Sequence, residues 1–239
     1  MNIIQFAILM ALSCLLRIGN AAVSSSSDPT PEIHVYASGD SLVVRDTLLL
    51  HQVIEQAIDL LDAHPKIRKL WLVNVPGGYA VPSARLAWRA QELDVTVGGA
   101  CFSACADVAL SGRTLRMRPR TDDRSTALVI HGQFDLAGNW SSSGLNQLLR
   151  YAERLAPIPQ ADIEEALRYP YPSAAGLFIF SDRSFPKAGG RIAVLCPFFP
   201  SKCKDLEVTL AQLHIGTTDD PVPEAPVDGS AAPLPTSSP

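Results

Sequence analysis

The sequence predicts an α/β domain in which helices pack against a mostly parallel sheet. Three observations carry this. Between residues 41 and 118 short apolar runs and helical segments alternate as β-α-β-α-β-α-β, an order that folds into crossover units. Leu70-Trp71-Leu72-Val73 is a nearly continuous apolar run, as a parallel strand buried on both faces should be. Leu48, Leu49, Val53, Ile54, Ala57, Ile58, Leu60 and Leu61 recur at helical spacing, giving one apolar face to lay on that sheet.

The elements follow in order. Residues 32–36 and 41–45 read as two short strands around a Gly39-Asp40 turn. The first helix ends near His64-Pro65, where proline stops it, and the strand at 70–73 follows. Pro76-Gly77-Gly78 breaks that strand, and a second helix runs over 81–93 with Ala84, Ala87, Trp88 and Leu93 at its apolar positions. A strand at 95–97 leads through a glycine-led turn into a short, alanine-rich helix at 103–110. Strands follow at 114–118 and 127–131, then helical spacing over 146–167 interrupted at Pro157 and Pro159, then strands at 177–180 and 192–195. No internal repeat is evident, and one domain over residues 31–215 is the economical reading.

Hydrophobic residues make up 47% of the chain and charged residues 18%, which suits a packed core and excludes a disordered polymer. Both ends stand apart from that core. Residues 3–16 are apolar except for Gln5, Ser13 and Cys14, and small residues at Gly19, Ala21 and Ala22 offer cleavage positions. Residues 1–22 therefore read as a secretory signal peptide, too short for a comfortable membrane span, with an uncleaved anchor as the alternative. Export to the periplasm or medium is expected, with no stable membrane span after cleavage. Residues 216–239 carry six prolines and four acids without periodicity, and read as a disordered, acidic tail. The chain's net charge is −4; cutting after Ala22 removes Arg17, and setting the tail's four acids aside leaves a body near −1. A near-neutral body without a basic run argues against nucleic acid as a partner.

Beyond Cys14 there are four cysteines, which allow three pairings. Cys196 and Cys203 bracket a turn-like Pro-Phe-Phe-Pro segment and are expected to form a disulfide. Cys101 and Cys105 are harder to join. Four apart on one helix, their β-carbons would stand about 5–6 Å apart, so a bridge requires Cys101 to lie outside the helix. No Cys or His cluster has zinc spacing, so no metal is expected.

Three short features carry chemistry. Asn74-Val75-Pro76-Gly77-Gly78 follows a buried strand, and its paired glycines leave an amide with no side chain in front of it. Gly98-Gly99-Ala100-Cys101-Phe102-Ser103-Ala104-Cys105-Ala106 puts Ser103 at a helix start, where the Ala104 N–H can meet an oxygen that becomes negative. An N-cap serine is the structural alternative there. Ala127-Leu128-Val129-Ile130-His131-Gly132 ends an apolar strand on a histidine 131 − 103 = 28 residues after the serine, and His131 reaches back as a general base if the strands are neighbours.

Taken in order with Ser111-Gly112-Arg113, these motifs resemble the core of the Clp protease proteolytic subunit and its crotonase-like superfamily. The likeness is greatest to an exported bacterial branch in which cysteines flank the serine. It covers residues 32–132 well and the remainder poorly. The resemblance implies a ClpP/crotonase-like fold of stacked ββα units, with Ser103 as nucleophile and His131 as general base. Gly77 or Gly78, with Ala104, would match the oxyanion-hole amides. Val75 stands where the family commonly has serine. For the triad acid, Asp182 lies 182 − 131 = 51 residues after His131, an interval similar to the family's. A second alignment puts Tyr169 at that position, and Asp135 and Asp162 are further candidates.

The expected function is therefore an exported serine hydrolase of peptidase type, working on a peptide or protein through an acyl-enzyme on Ser103 and needing no cofactor. A non-catalytic binding or scaffold protein of the envelope on the same fold is the alternative. Crotonase-type acyl-CoA chemistry fits export poorly. Relatives commonly assemble into rings or trimers, so a homo-oligomer is compatible with the resemblance.

Overall fold

Leu70 and Leu72 point to one face of their strand and Trp71 and Val73 to the other, and all four are buried. That strand lies near the middle of a sheet covered on both sides. The computed structural model describes residues 34–119, 126–132, 154–169, 175–182 and 191–226. The signal segment expected at 1–22, Asp135, the first part of the helical stretch from 146 and the tail beyond 226 lie outside them.

In chain order the described elements are β1 Val35–Ser38, β2 Ser41–Arg45, α1 His51–Ala63, β3 Lys69–Val75, α2 Ala80–Ala90, β4 Asp94–Phe102 and α3 Ala104–Leu110. They continue with β5 Thr114–Met117, β6 Ala127–Ile130, α4 Gln160–Ala166, β7 Gly176–Phe180, β8 Ala193–Cys196, β9 Lys204–Asp205 and β10 Ile215–Thr217. The sheet runs β1-β2-β3-β4-β6-β7-β8-β9, with β5 also on β4 and β10 beyond β5. From β2 to β6 the pairing is parallel, as is β5 with β4 and β10. The flanks, β1 on β2 and β6 through β9, are antiparallel. The fold class is thus α/β with a mixed sheet whose centre is parallel.

β2 is joined to β3 by α1 and β3 to β4 by α2, and each helix buries one stripe. α1 buries Val53, Ile54, Ala57, Ile58 and Leu61; α2 buries Ser83, Leu86, Ala87 and Ala90. A buried aliphatic side chain of this size contributes roughly 1.5–3 kcal/mol through removal from water. Proline does not stop α2 because Pro82 sits in its first turn, where its missing N–H has no helical acceptor to lose. On the other face two smaller clusters form. One gathers Val129, Phe178, Phe180 and Val194, with Phe199 stacked on Phe178 at 4.6 Å between ring centres. The Cys196–Cys203 disulfide, as expected, closes the loop that carries Phe199. The other cluster gathers Tyr36, Val43, Trp71 and Val73.

Two features differ from the sequence reading. β4 does not stop at residue 97; it runs through both glycines to Phe102. Its first half pairs with β5 and its second half with β6, so the strand forks at Gly98-Gly99 instead of turning. Gly99 adopts φ +71, and a side chain on it would overlap the Asn74 carboxamide. The glycine is needed for close approach of a neighbour, not to end the strand. Further on, the chain does not leave the body at 216. β10 includes Thr217, and residues 218–226 lie against the sheet, with Val222 and Ala225 packed on the Tyr36–Trp71 cluster. Among the described residues no helix is long and apolar enough to cross a membrane.

Candidate active site

Parallel strands bring their C-terminal ends to one edge, and the three sequence motifs lie there. Ser103 joins β4 to α3. Its backbone sits at φ 54, ψ −123, outside the regions open to residues with a side chain. Holding a non-glycine residue there costs about 1–3 kcal/mol. The surroundings enforce it: the Ser103 N–H donates to the Val129 carbonyl at 2.8 Å, and its carbonyl accepts from the Asp107 N–H at 3.1 Å. The first bond continues the β4–β6 ladder and the second is the first turn of α3. Ser103 occupies the N-cap position, but its hydroxyl makes no capping bond. The structural role that could explain a serine here is therefore unused.

The two cysteines bracket this turn. Cys101 is on β4 and Cys105 on α3, and they are joined by a disulfide with a Cα–Cα distance of 5.2 Å. The bridge expected to be difficult forms because β4 extends to residue 102, which keeps Cys101 off the helix. Both cysteines are fully buried.

The Pro76-Gly77-Gly78 loop comes to Ser103 from β3. A β-carbon on Gly77 would lie 3.4 Å from Ser103 Cβ and 3.3 Å from the Phe102 carbonyl oxygen, so the glycine faces the serine directly. One residue on, the loop is bridged to Leu49. The Leu49 N–H donates to the Gly77 carbonyl at 2.8 Å, and the Tyr79 N–H donates to the Leu49 carbonyl at 3.0 Å. With both flanking groups turned to Leu49, extended geometry turns the Gly78 N–H to the opposite side. A side chain on Gly78 would collide with the Leu49 carbonyl. A second clamp lies behind: Asn74, at φ 51 where the β3–β4 register shifts, donates from Nδ2 to Asp46 Oδ1 at 3.0 Å. The sequence reading passed over Asp46, whose only signal was its place at the end of β2.

His131 directly follows β6. Since Phe102 pairs with Val129, Ser103 and His131 leave adjacent parallel strands at the same edge. His131 is buried, and its Nδ1 lies 2.8 Å from the Gly132 carbonyl oxygen. A carbonyl can only accept, so Nδ1 carries the proton and Nε2 keeps the lone pair. Burial pushes the imidazole below its ordinary value of 6.5, partly offset by that hydrogen bond, so the ring is neutral near pH 7. The Gly132 N–H in turn donates to the Tyr169 carbonyl at 3.3 Å. Among the described residues no hydrogen bond joins the Ser103 hydroxyl to the His131 ring.

The acid candidates among the described residues lie elsewhere. β7 runs antiparallel to β6, pairing Leu177 with Ile130 and Phe180 with Ala127. Asp182, two residues past Phe180, thus lies toward the opposite end of β6 from His131, about 20 Å away at roughly 3.3 Å per residue. The register does not bring the two together. Asp162 is buried and held by Lys204 Nζ at 2.7 and 2.8 Å. Tyr169 donates its hydroxyl to Glu165, and burial followed by that carboxylate pushes it up to about 12, so it carries no charge to offer an imidazole. Among the described residues the Gly132 carbonyl lies against the His131 ring, a group sequence reasoning overlooked because backbone acceptors leave no signal in residue type.

No protein-family model and no curated protein matches this chain. Among solved structures it is similar to a ClpP1 variant from Listeria monocytogenes, at 14% identity and a TM-score of 0.35 over 49% of this chain and 68% of that one. It is also similar to a membrane-bound stomatin-specific protease in complex with a substrate peptide, at 16% identity and a TM-score of 0.33 over 51% of this chain and 61% of that one. A member of the enoyl-CoA hydratase/isomerase family matches at 12% identity and a TM-score of 0.36 over 55% of this chain and 60% of that one. The likeness is distant, and the chain spans only part of the length of each.

Proposed function

We propose that this chain is a serine hydrolase of peptidase type, with Ser103 as nucleophile and His131 as general base. The observation that carries the reading is the Ser103 backbone. A serine is held at φ 54, ψ −123 between a strand and a helix, its hydroxyl unused as a cap and a glycine facing its β-carbon. Strain of this kind persists where the surroundings over-determine it, and it projects the side chain out of the turn.

In the proposed reaction Ser103 Oγ attacks a substrate carbonyl carbon while its proton passes to His131 Nε2. The C=O π electrons move to oxygen, and the resulting oxyanion accepts from the Ala104 N–H and from the Gly77 or Gly78 N–H. The bridge to Leu49 favours Gly78. Collapse breaks the carbonyl–leaving-group bond, and His131 returns the proton to the leaving amine. Water repeats the sequence to release the acid and regenerate the hydroxyl. The Gly132 carbonyl at Nδ1 fixes the tautomer without adding charge. The two disulfides support a location outside the reducing cytoplasm.

One observation favours a second reading. With no hydrogen bond between Ser103 and His131 among the described residues, a non-catalytic binding protein on the same scaffold would look alike. Labelling with a fluorophosphonate separates the two. Hydrolase chemistry requires a covalent adduct on wild type that is absent from Ser103→Ala. No adduct on wild type, or equal labelling of both, refutes it and leaves the binding reading.

A further inference from the structure

At the face of the sheet away from the main core, Tyr36 of β1 pairs across with Val43 of β2, and Val43 with Trp71 of β3. The three side chains form one row across three strands, with Val73 beside it, and each is less than a tenth exposed. What lies over them is a piece of the chain's own C-terminal region. Residues 218–226 read Thr-Asp-Asp-Pro-Val-Pro-Glu-Ala-Pro and form neither helix nor strand.

Prolines at 221, 223 and 226 fix their own φ near −65° and push the residue before each into extended geometry. These restrictions favour polyproline II, which has three residues per turn. Val222 and Ala225 are three apart and so share one side of such a helix, and these are the two side chains packed on the row. Glu224, between them, is exposed. The Tyr36 hydroxyl donates to the Pro223 carbonyl at 2.7 Å. A row with aromatic side chains that packs successive turns, with a donor to a backbone carbonyl between them, is the kind of surface that receives polyproline II segments.

The fit is incomplete. Trp71 Nε1 is buried and has no hydrogen-bond partner among the described residues. The segment covers the indole without offering it an acceptor. A buried unsatisfied donor is costly, and a strand that brought a carbonyl to it would gain a bond the resident segment lacks.

We propose that the Tyr36–Val43–Trp71–Val73 face is a docking site for an extended, proline-rich segment of another protein, and that residues 218–226 are its built-in occupant. The resident segment is tethered at Thr217 and so competes at high effective concentration. Beyond the Thr218 N–H, which donates to the Met117 carbonyl at 3.2 Å next to the tether, it holds by one side-chain hydrogen bond and two small, half-buried side chains. A partner that also satisfies Trp71 displaces it. This site is independent of Ser103, which lies beyond the C-terminal ends of the strands.

The test uses the full-length chain carrying Val222→Asp and Ala225→Asp, which removes the segment's apolar side while leaving the face intact. The probe is a fluorescein-labelled synthetic peptide Thr-Asp-Asp-Pro-Val-Pro-Glu-Ala-Pro, followed by anisotropy. Saturable binding is expected, tighter than to wild type. Adding Tyr36→Phe should weaken it about three- to tenfold, and replacing the peptide's prolines by alanine about tenfold or more. No saturable binding, or binding indifferent to either change, overturns the proposal. If circular dichroism shows that the doubly substituted chain does not fold, a protease site inserted between Thr217 and Thr218 and cut after folding allows the same titration. A wild-type dimer that Val222→Asp dissolves would assign the face to a second copy of this chain and also overturn the proposal.

Discussion

Replacing Ser103 by glycine and, separately, by alanine divides the cost of its backbone from the use of its hydroxyl. Alanine keeps the side-chain clash that makes φ 54, ψ −123 unfavourable; glycine does not. Because the hydroxyl makes no capping bond, Ser103→Ala should leave stability within about 0.5 kcal/mol of wild type. Ser103→Gly releases strain of about 1–3 kcal/mol. Against this stands the greater freedom of glycine in the unfolded chain, about 0.4–1 kcal/mol. For strain near the middle of its range, glycine comes out roughly 1 kcal/mol more stable than alanine. In a domain of this size that is a rise in Tm of about 2–4 °C, measurable by calorimetry at neutral pH. Both variants should lose fluorophosphonate labelling equally. A Ser103→Gly protein no more stable than Ser103→Ala would refute the strain reasoning and remove the main support for Ser103 as a nucleophile.

Two other outcomes follow from the same site. A histidine whose folded value is lowered resists protonation, so below the ordinary 6.5 the unfolded chain binds more protons than the native one. The stability His131 confers by staying neutral is complete above 6.5 and should fall with pH between that value and the lowered folded one. In urea titrations His131→Gln should flatten that decline, and the acid limb of the labelling rate should have its midpoint below 6.5. Cys101→Ala with Cys105→Ala removes a bridge across a sequence separation of 4, which constrains the unfolded chain by about 2 kcal/mol. The same change frees the Ser103 turn, so labelling should slow by more than it does in a Cys196→Ala, Cys203→Ala variant of comparable stability loss. Equal slowing would show that the inner bridge does not position Ser103.

The sequence alone determined the central elements and the order of the candidate site's motifs, because both are written in local pattern. The apolar run at Leu70–Val73, the helical stripe ending at Leu61 and the order Gly77-Gly78, Ser103, His131 are legible without a partner strand. The Cys196–Cys203 bridge was legible too, since a short proline-containing turn closes on itself. Tertiary structure decided whatever depends on which strand lies beside which. Gly98-Gly99 reads as a turn, yet β3 and β6 on either side hold it in a strand, and that extension joins Cys101 to Cys105. The interval from His131 to Asp182 suits an acid, yet antiparallel pairing of β6 with β7 carries Asp182 away and leaves the Gly132 carbonyl at the ring. The proline-rich segment looks solvated until Tyr36 and Trp71 come together from separate strands to receive it. Spacing along a chain fixes which residues share a face of one element; register between elements fixes which faces meet.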